Sequence, residues 1–322
     1  MTKLDELIHI IMKDHVYIQM HNYPDQDALA AAYGLQVLLE CRGIKSTICY
    51  SGQIDKHNTL KMIELLHIDI YNNNEFTMEA DDEIILVDGQ MGNVNMINFI
   101  GRKIACIDHH PIQEIGEYRF YDIRSRIGAC SSIITQYFVE NNIGIPAEIA
   151  TALAYGIKID TANLSGRAAD LDVDMYCLLY KIADKDILLS FENCCLRRKD
   201  LTAYQEAISN LKLYGRIGIA KIGDDCSEAI IGSISDFLMT VSEVDFTLVY
   251  AYRVGGLKFS VRSESKTVDA GKIIKEALAG LGDGGGHATM AAGFLPNLNT
   301  KQEINEMAHL VEQRIINLVM KN

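Results

Sequence analysis

Proline is scarce in this chain. There are 4 in 322 residues, and no low-complexity tract accompanies them. That composition excludes extended disordered regions, so the chain is expected to be ordered almost throughout. No apolar run is long enough to cross a bilayer. The opening residues Met1-Thr2-Lys3-Leu4-Asp5-Glu6 carry acids where a secretory signal would carry a basic region. A cytoplasmic protein without a membrane partner is the expectation. None of the 8 Cys forms a C-x-x-C pair, which argues against a structural zinc knuckle or a thioredoxin-type site. Cys49, Cys106 and Cys177 lie in apolar stretches and are expected as reduced core residues. Cys194-Cys195 read as helix residues with no assigned task. Base is also in short supply: 30 Lys and Arg stand against 43 Asp and Glu, for a net charge of −13. Long duplex nucleic acid needs a basic face and is therefore not an expected partner. A small anion stays within reach, because a few groups and metal ions in one cleft suffice to hold it.

What the chain has in plenty is apolar side chains, 48% of its residues. Its length suits two packed domains better than one oversized core. The first half alternates strands and helices. An amphipathic helix is expected over 4–14, then a strand at 15–20 and a helix over 27–42, rich in Ala and closed by Gly43. Strands follow at 46–50, 84–87 and 104–107, with helices near 58–66 and 93–100 between them, and further helices at 130–141 and 147–160. Such alternation predicts an α/β domain with right-handed crossovers and a mostly parallel sheet covered on both faces. Residues 172–212 read as helical and charged, including Arg197-Arg198-Lys199-Asp200, a solvated connecting segment rather than a nucleic-acid patch. The last third predicts a second α/β domain, with strands at 217–222, 229–234, 246–253 and 257–261 and helices near 236–243, 269–280 and 301–319.

Acids and histidines gather at the ends of these elements. The strand at 15–20 runs into His21, followed by Asp25 and Asp27. The strand at 84–87 runs into Asp88-Gly89, and the one at 104–107 into Asp108-His109-His110. The helical run "YGIKIDTANL" carries Asp160-Thr161. In an open parallel sheet, ligands gather outside the carboxyl ends of the strands, so residues far apart in the chain can meet there. Each acid alone has a plain explanation: Asp27 as a helix N-cap, Asp88-Gly89 as a turn, Asp160 as a solvated helix end. Together, four carboxylates without cations would repel one another and raise their own pKa values. Two divalent cations would cancel the four charges. An oxygen and imidazole set without thiolate favours Mn²⁺, with Mg²⁺, Co²⁺ or Fe²⁺ as alternatives. A carboxylate shared between two ions about 3.5–4 Å apart makes a two-metal hydrolytic site.

Taken in order, four motifs resemble those of the DHH phosphoesterase family: H-x-x-P-D-x-D-A (His21 to Ala28), the lone Asp88, D-H-H (Asp108-His109-His110) and G-I-x-x-D-T (Gly156 to Thr161). Arg262-Ser263, Gly284-Gly285-Gly286-His287 and Ala291-Ala292-Gly293 resemble the DHH-associated C-terminal domain. The resemblance spans about residues 15 to 293. It implies a DHH catalytic domain over 1–185, a helical linker over 186–212 and a smaller substrate-binding α/β domain with a mixed sheet over 213–322. It also implies site roles. His21, Asp25 and Asp88 would hold one metal; Asp27, Asp88, His109 and Asp160 would hold the other, with Asp88 bridging. Asp108 would orient its neighbours, and His110 would face the scissile phosphate or its attacking water. Arg262, Ser263, His287 and the Gly284–Gly286 amides would take substrate phosphate across a cleft.

The departures leave the subfamily open: Ala30-Ala31 stand where the family often has Gly-Ser, Ala162 follows Asp160-Thr161 where it often has Gly, and Asp283 precedes the glycine run. The compact two-domain form is similar to the nano-RNase and 3′-phosphoadenosine 5′-phosphate (pAp) phosphatase group. A phosphoesterase acting on very short oligonucleotides, pAp or both is therefore expected. A cyclic di-AMP or pApA phosphodiesterase is the nearest alternative, with a polyphosphatase and a nucleotide-binding regulator that has lost catalysis behind it. A regulator would show broken ligands, whereas all six candidates stand. A homodimer is compatible with the sequence, which does not choose an oligomeric state.

Overall fold

The computed structural model describes every residue except 55, 94, 113–116, 166–167, 193–195, 197, 199, 254 and 322. Cys194-Cys195 and two members of the basic run, Arg197 and Lys199, thus lie outside the described residues. The chain divides into two compact units, Met1–Cys195 and Leu196–Asn322.

The first unit is built on six parallel strands: β1 (His15–Met20), β2 (Lys45–Tyr50), β3 (Ile70–Asn72), β4 (Glu83–Val87), β5 (Arg102–Asp108) and β6 (Phe120–Ile123). Their order is β3-β2-β1-β4-β5-β6. The chain winds outward from β1 in one direction and from β4 in the other, so a switch point falls between these two central strands. Among the described residues, seven helices accompany the sheet: α1 (Lys3–Ile10), α2 (Gln26–Glu40), α3 (His57–Leu66), α4 (Cys130–Glu140), α5 (Ala147–Asp160), α6 (Asp170–Ile182) and α7 (Lys185–Glu192). All five residues of β4 are buried, as a strand covered on both faces requires. One face packs on the main core, where small residues let α2 and α5 approach closely: Ala28, Ala31, Ala150 and Ala154 are all fully buried. The other face carries Ile84, Leu86 and Cys106 and is covered by Met96, Phe99, Met78 and Tyr118.

That cover corrects one expectation. The described residues of 93–100 are not helical. The segment runs irregularly so that Met96 and Phe99 reach the sheet while the Asn95 carbonyl accepts from the Asn22 amide. Cys177 is a second correction. It is exposed, because α6 buries a stripe through Asp172 and Leu179 and Cys177 lies off it. Cys49 and Cys106 are buried.

The second unit is a six-stranded mixed sheet of order β11-β12-β10-β9-β8-β7. Its strands are β7 (Lys212–Tyr214), β8 (Ile217–Lys221), β9 (Phe246–Arg253), β10 (Gly256–Ser263), β11 (Asp283–Gly286) and β12 (Met290–Pro296). Among the described residues, the β8–β9 pairing is parallel and the other pairings are antiparallel. Helices α10 (Ala270–Ala277) and α11 (Lys301–Met320) contribute to the core on one face. On the other, α8 (Asp200–Ser209) and α9 (Glu228–Leu238) pack over Ala220, Val249 and Ala251. Residues 229–234 were expected as a strand and are helical, and the helix expected near 236–243 lies earlier in the chain. Ile230, Ile231, Ile234 and Leu238 repeat at helical spacing, and Ser227 caps the helix through the Ile230 amide. A short apolar run does not by itself distinguish a buried strand from a buried helix. The glycine run is an edge strand rather than a loop, and glycine is needed there: a Cβ at Gly284 would lie 3.0 Å from the Ile274 carbonyl oxygen, and one at Gly286, at φ +144°, 2.6 Å from Ala291 Cα. Within 186–212, α7 packs on the first unit, where Phe191 lies 4.9 Å from the Tyr155 ring, while α8 buries Ala203 and Ala207 in the second.

Candidate metal centre

Three strand ends at the switch point supply the centre. His21 follows β1, Asp88 follows β4, and Asp108, His109 and His110 close β5. Asp25 and Asp27 come from the start of α2. Asp25 is its N-cap, accepting from the Asp27 and Ala28 amides, and Asp27 lies in the first turn. Asp160 is the last residue of α5. The fold brings all six predicted ligands together.

The contacts fall into two sets that share Asp88. His21 Nε2 lies 3.9 Å from Asp25 Oδ1 and 3.7 Å from Asp88 Oδ2. His109 Nε2 lies 3.2 Å from Asp88 Oδ1, 3.1 Å from Asp160 Oδ2 and 4.0 Å from Asp27 Oδ2. Two ligands each about 2.1 Å from one ion stand about 3 Å apart in cis and about 4.2 Å in trans, so these separations fit shared cations. The backbone also fixes the imidazoles. His21 Nδ1 donates to its neighbour's carbonyl, Asn22 O, at 2.8 Å, and His109 Nδ1 to Ile127 O at 3.2 Å. A carbonyl only accepts, so Nδ1 of each ring carries a proton and Nε2 is the ring nitrogen turned toward the acids. Asp88 Oδ1 and His109 Nε2 are buried with no hydrogen-bond partner. Two adjacent orphaned atoms of this kind need an explanation, and a divalent cation between them supplies one.

Electrostatics make the same demand. Burial, then the charges of Asp88 and Asp160, push the Asp27 carboxyl well above its ordinary range. Burial and the charges of Asp25 and Asp88 likewise raise Asp160, against the pull of His109. Burial opposes charge on the histidines, but the surrounding carboxylates win. Asp25 and Asp88 lift His21 to about 9, and Asp160, Asp88 and Asp27 lift His109 to about 12. The cluster therefore favours positive charge among its carboxylates.

Backbone strain marks the shared ligand. Asp88 adopts φ +57°, a left-handed conformation costing about 1–2 kcal/mol for a residue with a Cβ. Its amide is held on the Ile107 carbonyl at 3.0 Å. Asp27 is held by the N-terminus of α4: its oxygens accept from the Cys130 and Ser131 amides at 2.6 and 2.9 Å. Gly156 makes room, since a Cβ there would lie 2.4 Å from Ser131 Oγ and 3.1 Å from Asp27 Oδ1. Asp108 is buried. Its Oδ1 accepts from the His109 and His110 amides and, at 2.9 Å, from His110 Nδ1; its Oδ2 accepts from Gln90 Nε2 at 2.7 Å. His110 is thereby aimed with its Nε2 edge outward, its side chain 35% exposed. Gln90 was not anticipated from the sequence. Nor were the Cys130 and Ser131 amides or the Ile127 carbonyl, which as main-chain groups leave no trace in residue identity.

The predicted phosphate groups all lie in the second unit. Arg262 on β10 is engaged with Asp236 of α9, its Nε donating to Oδ1 at 2.6 Å, and it also donates to Ser260 Oγ and Val261 O. The Arg262 side chain is 12% exposed. Ser263 is buried and its hydroxyl donates to Val268 O at 2.7 Å, a contact that secures the turn after β10. Gly285, Gly286 and His287 are exposed and Gly284 is half-buried, with the His287 amide donating to Met290 O.

Fold and centre together define a class: α/β proteins with an acid and imidazole metal centre at the switch point of a parallel sheet. The chain belongs to the DHH family, matching the DHH family N-terminal domain over residues 15–157 and the DHHA1 domain over 214–317. It is 30% identical over 285 residues to the uncharacterised Methanocaldococcus jannaschii protein MJ1633, covering 88% of this chain and 58% of that protein. It is 25% identical over 329 residues to the cyclic-di-AMP phosphodiesterase GdpP of Bacillus subtilis, covering 93% of this chain and 48% of GdpP. The chain thus spans about half the length of these two relatives. An exopolyphosphatase-related protein from Bacteroides fragilis shares the fold, with a TM-score of 0.76 and 18% identity over 99% of this chain and 97% of that one. Among the described residues, no helix is long and apolar enough to cross a membrane.

Proposed function

We propose that this chain is a divalent-metal-dependent phosphoesterase that hydrolyses very short oligonucleotides, pAp, or both. The observation that carries the reading is Asp88, whose two oxygens face two separate histidine and carboxylate sets. In this proposal His21, Asp25 and Asp88 hold one ion, and Asp27, Asp88, His109 and Asp160 hold the other. Mn²⁺ suits the oxygen and imidazole donors, as do Mg²⁺, Co²⁺ or Fe²⁺. Bound divalent ions would neutralise the carboxylates and supply Lewis acidity to a phosphoester. The chain's own groups do the rest. Asp108 fixes the His110 ring, and the outward His110 Nε2 exchanges a proton with the reacting phosphate or its water. Arg262, His287 and the Gly284–Gly286 strand are the proposed phosphate-holding groups of the second unit, with Ser263 supporting the strand end. The cytoplasm is the proposed compartment.

A second reading, hydrolysis of cyclic di-AMP or of linear pApA, is favoured by the similarity to GdpP across 93% of this chain. One panel separates the readings: turnover of pApA, pAp, cyclic di-AMP and polyphosphate with added Mn²⁺. Fastest turnover of pAp supports the first proposal, and turnover confined to cyclic di-AMP and pApA supports the second. Absence of turnover on every phosphoester, with Mn²⁺ shown to be bound, would overturn the enzyme reading. Asp88→Ala should abolish activity, and activity near wild type would remove the shared-ligand assignment.

A further inference from the structure

The segment that leads into α4, residues 127–132, is bound from two sides. Toward the metal centre, the Ile127 carbonyl accepts from His109 Nδ1, and the Cys130 and Ser131 amides donate to Asp27. Away from the centre the same segment is gripped by Asp172, in the first turn of α6. Asp172 Oδ2 accepts from the Gly128 amide at 2.7 Å, and Oδ1 accepts from the Ser132 hydroxyl at 2.5 Å. The Oδ2 also accepts from the Ala169 amide at 2.7 Å, which closes the start of α6. Asp172 is fully buried and is paired with no cationic side chain among the described residues. A carboxylate in that position is costly unless fixed donors surround it. Here the donors are two amides, one hydroxyl and the positive end of a helix.

We infer that Asp172 is a positioning residue for the metal centre, acting through the 127–132 segment on His109 and Asp27. The inference rests on the reading of the cluster as a metal centre. Its physical content is specific. His109 presents its Nε2 lone pair only while the Ile127 carbonyl holds the opposite ring nitrogen. Asp27 faces Asp88 and Asp160 against their repulsion only while two amides hold both of its oxygens. The Cys130 and Ser131 amides lie between the two residues that Asp172 grips, Gly128 and Ser132, and the Ile127 carbonyl belongs to the same peptide unit as the gripped Gly128 amide. Removing partners that orient metal ligands typically weakens metal binding about 10- to 100-fold.

The test is an equilibrium Mn²⁺ titration of the full chain, read as the electron paramagnetic resonance signal of free Mn²⁺, with circular dichroism to report folding. Asp172→Ala should raise the Mn²⁺ Kd about 10- to 100-fold. Asp172→Asn should stay within a few-fold of wild type, because its amide oxygen can still accept from Gly128 and Ala169 and its amide nitrogen can donate to Ser132 Oγ. Tyr137→Phe is the comparison. It removes another buried hydrogen bond of α4, to Asp122 Oδ2 at 2.8 Å, and should lower Tm while leaving the Mn²⁺ Kd unchanged. A folded Asp172→Ala protein with wild-type Mn²⁺ affinity would overturn the inference, as would Tyr137→Phe weakening Mn²⁺ equally. If Asp172→Ala does not fold, Ser132→Ala, which removes one arm of the grip, decides the matter: an unchanged Kd refutes it. A wild-type chain that binds no Mn²⁺ overturns the metal-centre reading itself, and this inference with it.

Discussion

Gly156→Ala offers a strict test of how closely folding and metal binding are tied in the first unit. Gly156 lies in α5 where it meets α2 and the start of α4. An added methyl would stand 2.4 Å from Ser131 Oγ, 3.1 Å from Ala30 Cβ and 3.1 Å from Asp27 Oδ1. Replacing a helix-interior Gly by Ala gains about 0.5–1 kcal/mol from backbone entropy. Overpacking costs about 1–3 kcal/mol. The net loss of stability is therefore about 0–2.5 kcal/mol, a fall in Tm of at most about 10 °C for a unit of this size. The effect on Mn²⁺ should be larger, because two of the three atoms struck are a candidate ligand oxygen and the hydroxyl of the residue whose amide holds it. Gly34→Ala supplies the contrast. The atoms nearest its methyl would be apolar side-chain carbons, Ile134 Cγ2 at 2.9 Å and Leu153 Cδ2 at 3.2 Å, and not a candidate ligand. Melting curves with and without saturating Mn²⁺ read both effects. At 100 times Kd the ion should stabilise the wild type by about 2.7 kcal/mol, and each tenfold loss of affinity removes about 1.4 kcal/mol of that. The Mn²⁺-dependent rise should shrink in Gly156→Ala and persist in Gly34→Ala. An undiminished rise in Gly156→Ala would refute the argument.

Mn²⁺ binding should release protons. In the metal-free protein His21 titrates at about 9 and His109 at about 12, both raised above about 6.5 in the unfolded chain. Their protonated forms thus stabilise the metal-free fold fully below about pH 6.5, and His21 loses that contribution as pH rises through about 9. A cation needs the same Nε2 lone pairs, so Mn²⁺ affinity should increase with pH, and its calorimetric enthalpy should differ between Pipes and Tris; identical enthalpies would refute the proton exchange. His110→Ala should lower kcat by about 10²- to 10⁴-fold while Mn²⁺ stoichiometry holds, and loss of bound metal instead would make His110 a ligand. Arg262→Ala should raise KM for pAp with kcat nearly kept. An unchanged KM would take Arg262 out of the phosphate site and leave it as the partner of Asp236.

Strand positions in the first unit were legible because parallel strands buried on both faces read as short unbroken apolar runs. β1 was expected at its observed limits, and β4 and β5 within two residues of theirs. Short edge strands such as β3 and β7 carry no such run. The glycine strand β11 has no side chains to show a period, and its pairing with β12 became visible only in the folded sheet. Residues 228–238 show the opposite failure: Ile230, Ile231 and Ile234 satisfy a strand as readily as a helix until one face must cover Val249 and Ala251.

The candidate centre divides along the same line. Residue identity and order were enough to name His21, Asp25, Asp27, Asp88, His109 and Asp160, because few side chains suit hard divalent cations and these stand at element ends. Tertiary packing was needed for everything that aims them. The Asn22 and Ile127 carbonyls select the ring nitrogen that each histidine presents, the α4 amides hold Asp27, and Gln90 secures Asp108. Arg262 was named from the sequence only as a phosphate-holding group, and its partner Asp236, 26 positions away on α9, came into view only with the fold. Ligand type is a property of single side chains and survives in one dimension. Orientation comes from main-chain groups and distant partners, and those acquire positions only when the chain has folded.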